Sequence, residues 1–226
     1  MRTIQDIYTQ YRIPPNLQLH LFRVSAFALY IADHLKLGST VDRHFITVAC
    51  LFHDIGNIVK FDFRLGKHPD IPESEVSKWE AVQTEYIAKY GNEENDVVIA
   101  IVEEIGLAQE VKTLLMQTGI EKIRYALASE NWSIKLVRLA DERISPHGVV
   151  TVKERYADFL ARYRGRHHHL ADIQENKERI VLAINLEKQI QSQCTIDLQT
   201  ITDADIEPYI ERLREYVIPE TLNSKL

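Results

Sequence analysis

Four residues of this 226-residue chain carry cation-binding groups at positions where the hydrophobic spacing asks for apolar side chains. His20 lies on the stripe Leu17, His20/Leu21, Val24, Phe27/Ala28, Ile31 and Leu35. His53 continues the face defined by Ile46 and Cys50, and Asp54 follows it directly. Asp141 interrupts IKLVRLADERI, seven residues after Ile134 and three before Ile144. Burying two carboxylates near two imidazoles is costly unless a cation satisfies them. Two nitrogens and two carboxylates suit Mn, Fe, Co, Ni, Zn or Mg better than copper or an iron–sulfur cluster. Taken singly, each residue has a plainer explanation. A histidine on an apolar face is usually a satisfied core residue, Asp141 could pair with Arg138 or Arg143, and a His-Asp dipeptide is common by chance. The ordered set on three helices outweighs these.

The elements that must position them are helical. Glycine (8) and proline (7) are scarce, which favours long helices over a turn-rich β architecture. A helix is expected after the Pro-Pro-Asn turn at 14–16, ending near Gly38, and a second from about Thr40 to Asp54, with Asp42 as cap and Gly56 as stop. The second is apolar nearly all round and should be buried and central. Residues 57–73, with Gly66, Pro69 and Pro72, read as a loop. Helices then cover 74–90, 93–105, 108–118, 120–130, 132–145, 151–164, 170–193 and 203–216. Runs at 148–152 and 194–198 have strand character without an obvious partner. The expected fold is all-α, with residues 1–150 as the core and 151–226 as a helical extension packed on it.

Composition excludes some function classes. A net charge of -6 argues against general nucleic-acid binding, which needs a basic footprint. The longest apolar run, ITVACLF at 46–52, falls far short of the roughly 18–20 residues needed to span a bilayer, so no membrane association is expected. The N-terminus has no secretory h-region, and two distant cysteines, Cys50 and Cys194, suit a reducing cytoplasm.

In order along the chain, HLFRV at 20–24, LFHDIGN at 51–57 and LVRLADERI at 136–144 resemble the HD superfamily of metal-dependent phosphohydrolases. The stretch VTVKERYADFLARY at 150–163 and the tail containing ITDADIEPYIERLREY look like prokaryotic members with a helical C-terminal extension. The resemblance implies an HD-domain helical bundle with metal ligands His20, His53, Asp54 and Asp141, and with open positions for water and substrate. Many dinuclear members carry two further histidines between the His-Asp pair and the last aspartate. Here only His68 intervenes, so one divalent ion is expected. A nucleotidase branch has glutamate three residues after the His-Asp aspartate, where this chain has Asn57, and the Gly-Tyr-Pro signature of a cyclic-dinucleotide branch is absent.

The expected activity is hydrolysis of a phosphate ester, of a nucleotide or another small phosphorylated molecule, by metal-activated water. Asp54 would also orient that water or take its proton. Arg23, three residues beyond His20 and on nearly the same face, offers a fork for phosphate; Asn57 and Lys60 are further substrate contacts. The plainer alternative for Arg23 is a salt bridge to a nearby acid, and a solvated loop position is the favoured reading of Lys60. Asn57 also supports a different class, a catalytically weak HD domain that senses a nucleotide or phosphate. A structural helical adaptor would bind no metal. The RYRGRHHH run at 162–169 reads as a solvated helix junction, Trp79 and Trp132 as packing anchors, and His34 and His44 as surface residues. The amphipathic 170–193 segment could join two copies as a homodimer.

Overall fold

The computed structural model describes residues 2–36, 41–63, 71–163 and 173–219. The helix that carries His20, α2 (Pro15–Asp33), lies at the centre and packs against α3 (Arg43–Phe52), α8 (Trp132–Arg143) and α11 (Asp203–Arg214). Pro15 starts α2 at its first helical position, where the missing N–H costs nothing and φ is already set. Asp42 caps α3 by accepting from the Phe45 N–H, as its sequence position predicts. Ile46 to Phe52 are all buried, so α3 is central. Asn131 caps α8 through the Ser133 N–H, and Ile134 to Ala140 are buried all round.

The remaining helices pack around these four. They are α1 (Ile4–Gln10), α4 (Val76–Tyr90), α5 (Glu94–Ile105), α6 (Gln109–Thr118), α7 (Ile123–Ala128), α9 (Val152–Tyr163) and α10 (Ile173–Ser192). Gly91 and Gly106 end α4 and α5. The all-α expectation holds: strands are confined, among the described residues, to two two-stranded ribbons. No helix there is long and apolar enough to cross a membrane.

Besides α2 ending at Asp33 rather than near Gly38, and α3 at Phe52 rather than Asp54, the structure departs from the sequence expectations at four places. First, Arg2–Gln10 forms a strand, β1 (Arg2–Thr3), and then α1, which opens on a reciprocal capping box between Thr3 and Asp6. Second, the segment expected to be a 57–73 loop contains single 3₁₀ turns at Asn57–Lys60 and Glu73–Glu75. Third, the helix expected at 120–130 divides into a 3₁₀ turn, Ile120–Lys122, and α7. Fourth, both strand-like runs find partners. Gly148–Val149 (β3) pairs antiparallel with Ile144–Ser145 (β2), and Cys194 bridges to Leu35. His34 and His44 are half-buried, bonded to the Tyr30 carbonyl and the Tyr216 hydroxyl at 2.8 and 2.6 Å. His68 and residues 164–169 of the arginine–histidine run lie outside the described residues.

The chain after residue 150 shares the same buried cluster: Val152, Tyr156, Phe159, Leu186 and Ile206 belong with Leu21, Cys50 and Leu139. Arg143, 1% exposed at the end of α8, joins several parts of it. Its guanidinium donates to the Val150 carbonyl, pairs with Glu187 of α10, and reaches the Leu198 carbonyl at 2.9 Å. The final strand β4 (Val217–Ile218) pairs with β1, setting Arg2 opposite Ile218.

Candidate metal centre

Helices α2 and α8 and the turn that follows α3 each deliver their part of the predicted set to one spot. Single ligand atoms of His20, His53, Asp54 and Asp141 all lie within 4.8 Å of one another. His20 Nε2 is 3.7 Å from both Asp54 Oδ2 and Asp141 Oδ1. His53 Nε2 is 3.6 Å from the same two oxygens. These gaps are too long for hydrogen bonds, so two nitrogens and two oxygens surround a common point without bonding across it. His53 Nε2 is buried with no hydrogen-bond partner. An orphaned buried imidazole nitrogen asks for an explanation, and a divalent cation of the borderline class fits this donor set.

The surroundings fix which atom two of these residues, His53 and Asp141, turn toward the cluster. His53 Nδ1 lies 2.8 Å from the Cys50 carbonyl. A carbonyl only accepts, so Nδ1 carries a proton and Nε2 is the nitrogen left to offer a lone pair to a cation once it is deprotonated. Asp141 Oδ2 accepts from Arg138 Nη1 at 3.0 Å, which leaves Oδ1 facing the imidazoles. Arg138 is itself fixed by the Thr118 carbonyl at 3.0 Å and by Glu142, and Glu142 takes the Tyr156 hydroxyl at 3.0 Å. Asp141 thus has both the plain arginine pairing that its sequence allows and a place in the cluster.

Electrostatics separate the two histidines. Burial is the largest influence on both and disfavours their charge. In His20 it prevails and lowers the pKa. In His53 the Asp54 and Asp141 carboxylates overcome it and raise the pKa to about 9. Burial also opposes charge on Asp141, yet Arg138 and the imidazoles hold that carboxyl well below its usual range.

The predicted substrate residues are placed less directly. Arg23 donates Nη1 to the Pro146 carbonyl at 2.9 Å and has Nε 4.0 Å from Asp203. Lys60 pairs with Glu94 of α5. Asn57 is half-buried, and its side-chain oxygen has no partner.

Two charged residues near the cluster escaped the sequence reading. Glu94 starts α5, where burial and then the Asp54 charge raise its pKa, with Lys60 opposing. Its helix is brought close by Gly56, whose position admits no side chain: an added Cβ would meet Val97 at 2.9 Å. Nothing in the run EENDV marks Glu94 out. Arg155 of α9 places Nη2 3.9 Å from Asp141 Oδ1 and is 7% exposed. A signal did exist here: Arg155 falls on the stripe Val152, Tyr156, Phe159, as His20 falls on that of α2.

A family model described as the HD domain matches residues 18–142, which takes in all four clustered residues. The chain belongs to the HD-domain family. No curated protein and no solved structure gives a match. In this HD domain the matched segment ends one residue after Asp141, so Arg155 and the Arg143 contacts to α10 involve chain beyond it.

Proposed function

We propose that this HD domain is a divalent-metal-dependent phosphohydrolase acting on a phosphate ester of a nucleotide or another small phosphorylated metabolite. The observation that carries the reading is the convergence of four ligand atoms around a buried, unpartnered His53 Nε2. His20, His53, Asp54 and Asp141 would hold one ion. That ion, when bound, supplies Lewis acidity toward water and toward a phosphoryl oxygen.

The chain's own groups do the rest. The Cys50 carbonyl and Arg138 aim His53 Nε2 and Asp141 Oδ1, so little reorganisation is needed when charge develops. Asp54 is the most exposed of the four, and is the group able to orient an attacking water and accept its proton. The unpartnered oxygen of Asn57 offers a neutral hydrogen bond to a substrate donor. Arg23 and Lys60 would reach a phosphate by exchanging the Pro146 carbonyl and Glu94 for it. The buried free thiols of Cys50 and Cys194 support a reducing, cytoplasmic setting.

Asn57, standing where a nucleotidase branch has glutamate, favours a second reading: a phosphate or nucleotide sensor that holds metal without turnover. Metal analysis of purified protein, followed by a phosphatase screen with Mn, Co, Ni and Mg, separates the two. Phosphate release that His53→Ala abolishes supports the enzyme. Bound metal and ligand without turnover supports the sensor, and full activity with no metal refutes both.

A further inference from the structure

Arg155 is the least satisfied buried cation of the described residues near the metal centre. Arg138 and Arg143 are more deeply buried and, although Arg138 Nε also lacks a partner, each guanidinium meets carboxylate and carbonyl partners. Arg155 has carboxylates at 3.6 Å (Asp158) and 3.9 Å (Asp141), both beyond hydrogen-bond range, and its Nε is buried with no partner. Its plane lies over Phe159, 4.2 Å from the ring centroid, which braces the fork in one orientation. Asp158 is also taken up by Arg162 at 2.6 Å. An incompletely paired guanidinium is costly to bury, and its planar fork matches the oxygens of a phosphate.

Its position supplies the ligand. The oxygen nearest Arg155 Nη2 is Asp141 Oδ1, the atom that both imidazoles face. An anion drawn to a cation held by those atoms therefore comes within reach of Arg155. We propose that Arg155 is the oxyanion receptor of this site, holding the phosphoryl group of the substrate beside the metal, so that α9 completes a site whose ligands lie within the HD-matched segment. This assignment rests on the metal-dependent phosphohydrolase reading and goes beyond it by naming the group that takes the phosphate.

The test is calorimetric titration of inorganic phosphate into full-length, Mn²⁺-loaded protein, with bound metal quantified in parallel, for wild type, Arg155→Met and Arg155→Lys. Met keeps the stem against Phe159 and removes the fork. It is expected to retain metal and to bind phosphate roughly 10- to 100-fold more weakly, the range for hydrogen bonds to a charged group. Phosphate affinity equal to wild type overturns the assignment and leaves the metal reading standing. Loss of metal together with phosphate also overturns it, because Arg155 would then serve Asp141 rather than the substrate. Wild type that carries metal yet neither binds nor releases phosphate refutes the underlying reading before any variant is compared. If the Met protein does not fold, the Lys protein decides: weakened phosphate binding with full metal supports the assignment, and unchanged binding overturns it.

Discussion

Within the cluster, His20 and His53 share the same two carboxylates but titrate in opposite directions, because burial prevails in one and the carboxylates in the other. This fixes a pH dependence for the metal-free protein. His53, raised to about 9 from an ordinary 6.5, contributes stability that is full below pH 6.5 and lost as pH climbs through 9. At 1.36 kcal/mol for each pH unit between those values the loss is about 3 kcal/mol. His20, lowered, adds stability present above 6.5 and lost as pH falls through its folded value. Chelated protein should therefore be most stable near pH 6.5, which melting curves between pH 5 and 10 would show; a flat profile contradicts the pairing. Asp141→Asn should empty the site, read as lost metal in elemental analysis. The four clustered residues were legible because each breaks an apolar pattern, an anomaly visible locally in the sequence. Glu94 and the commitments of Arg23 and Lys60 were not, since they depend on which loop or helix each one meets.

At the scale of elements, α8 carries more than its ligand. Its last residue, Arg143, binds Glu187 and two carbonyls while almost wholly buried. Arg143→Met should cost roughly 3–5 kcal/mol, the usual result of leaving one partner of a buried pair uncompensated, and denaturant unfolding would measure it. The β2–β3 hairpin is held as closely. Gly148 has a φ of +134°, which side-chain-bearing residues rarely adopt, and an added Cβ would fall 2.3 Å from Asp203 Oδ2. Gly148→Ala should destabilise by at least 1 kcal/mol, the lower end of the cost of such a conformation, checked by the same unfolding curve. Helices α2 to α6 were legible because caps and glycine stops are local. The hairpin was not: its partner strands are two residues each, and the Val149 N–H meets an aspartate 54 residues away.

Across the whole molecule, helices from the two ends of the sequence cover one another. Ile206, Ile210 and Leu213 of α11 are buried, and α11 packs against α2, which bears His20. A chain truncated after residue 150 should lack a cooperative thermal transition and bind no metal, followed by calorimetry with and without Mn²⁺. In the full chain, metal at 100 times its dissociation constant should stabilise by about 2.7 kcal/mol, a rise in Tm of several degrees. That α11 returns to the first half could not be read from the sequence, because amphipathic spacing specifies a buried face and not what buries it.

The pairing of Arg2 with Ile218 has a meaning for biogenesis. Loop closure grows only slowly in entropic cost with length, but contacts of such separation delay the search for the native state. During synthesis, the α2 face that α11 covers stays bare until residues 203–214 have left the ribosome. Loading of a metal onto the nascent chain would then have to wait for α11 to emerge, and a ribosome stalled before α11 would hold a chain with its four candidate ligands made but the helix that covers α2 missing.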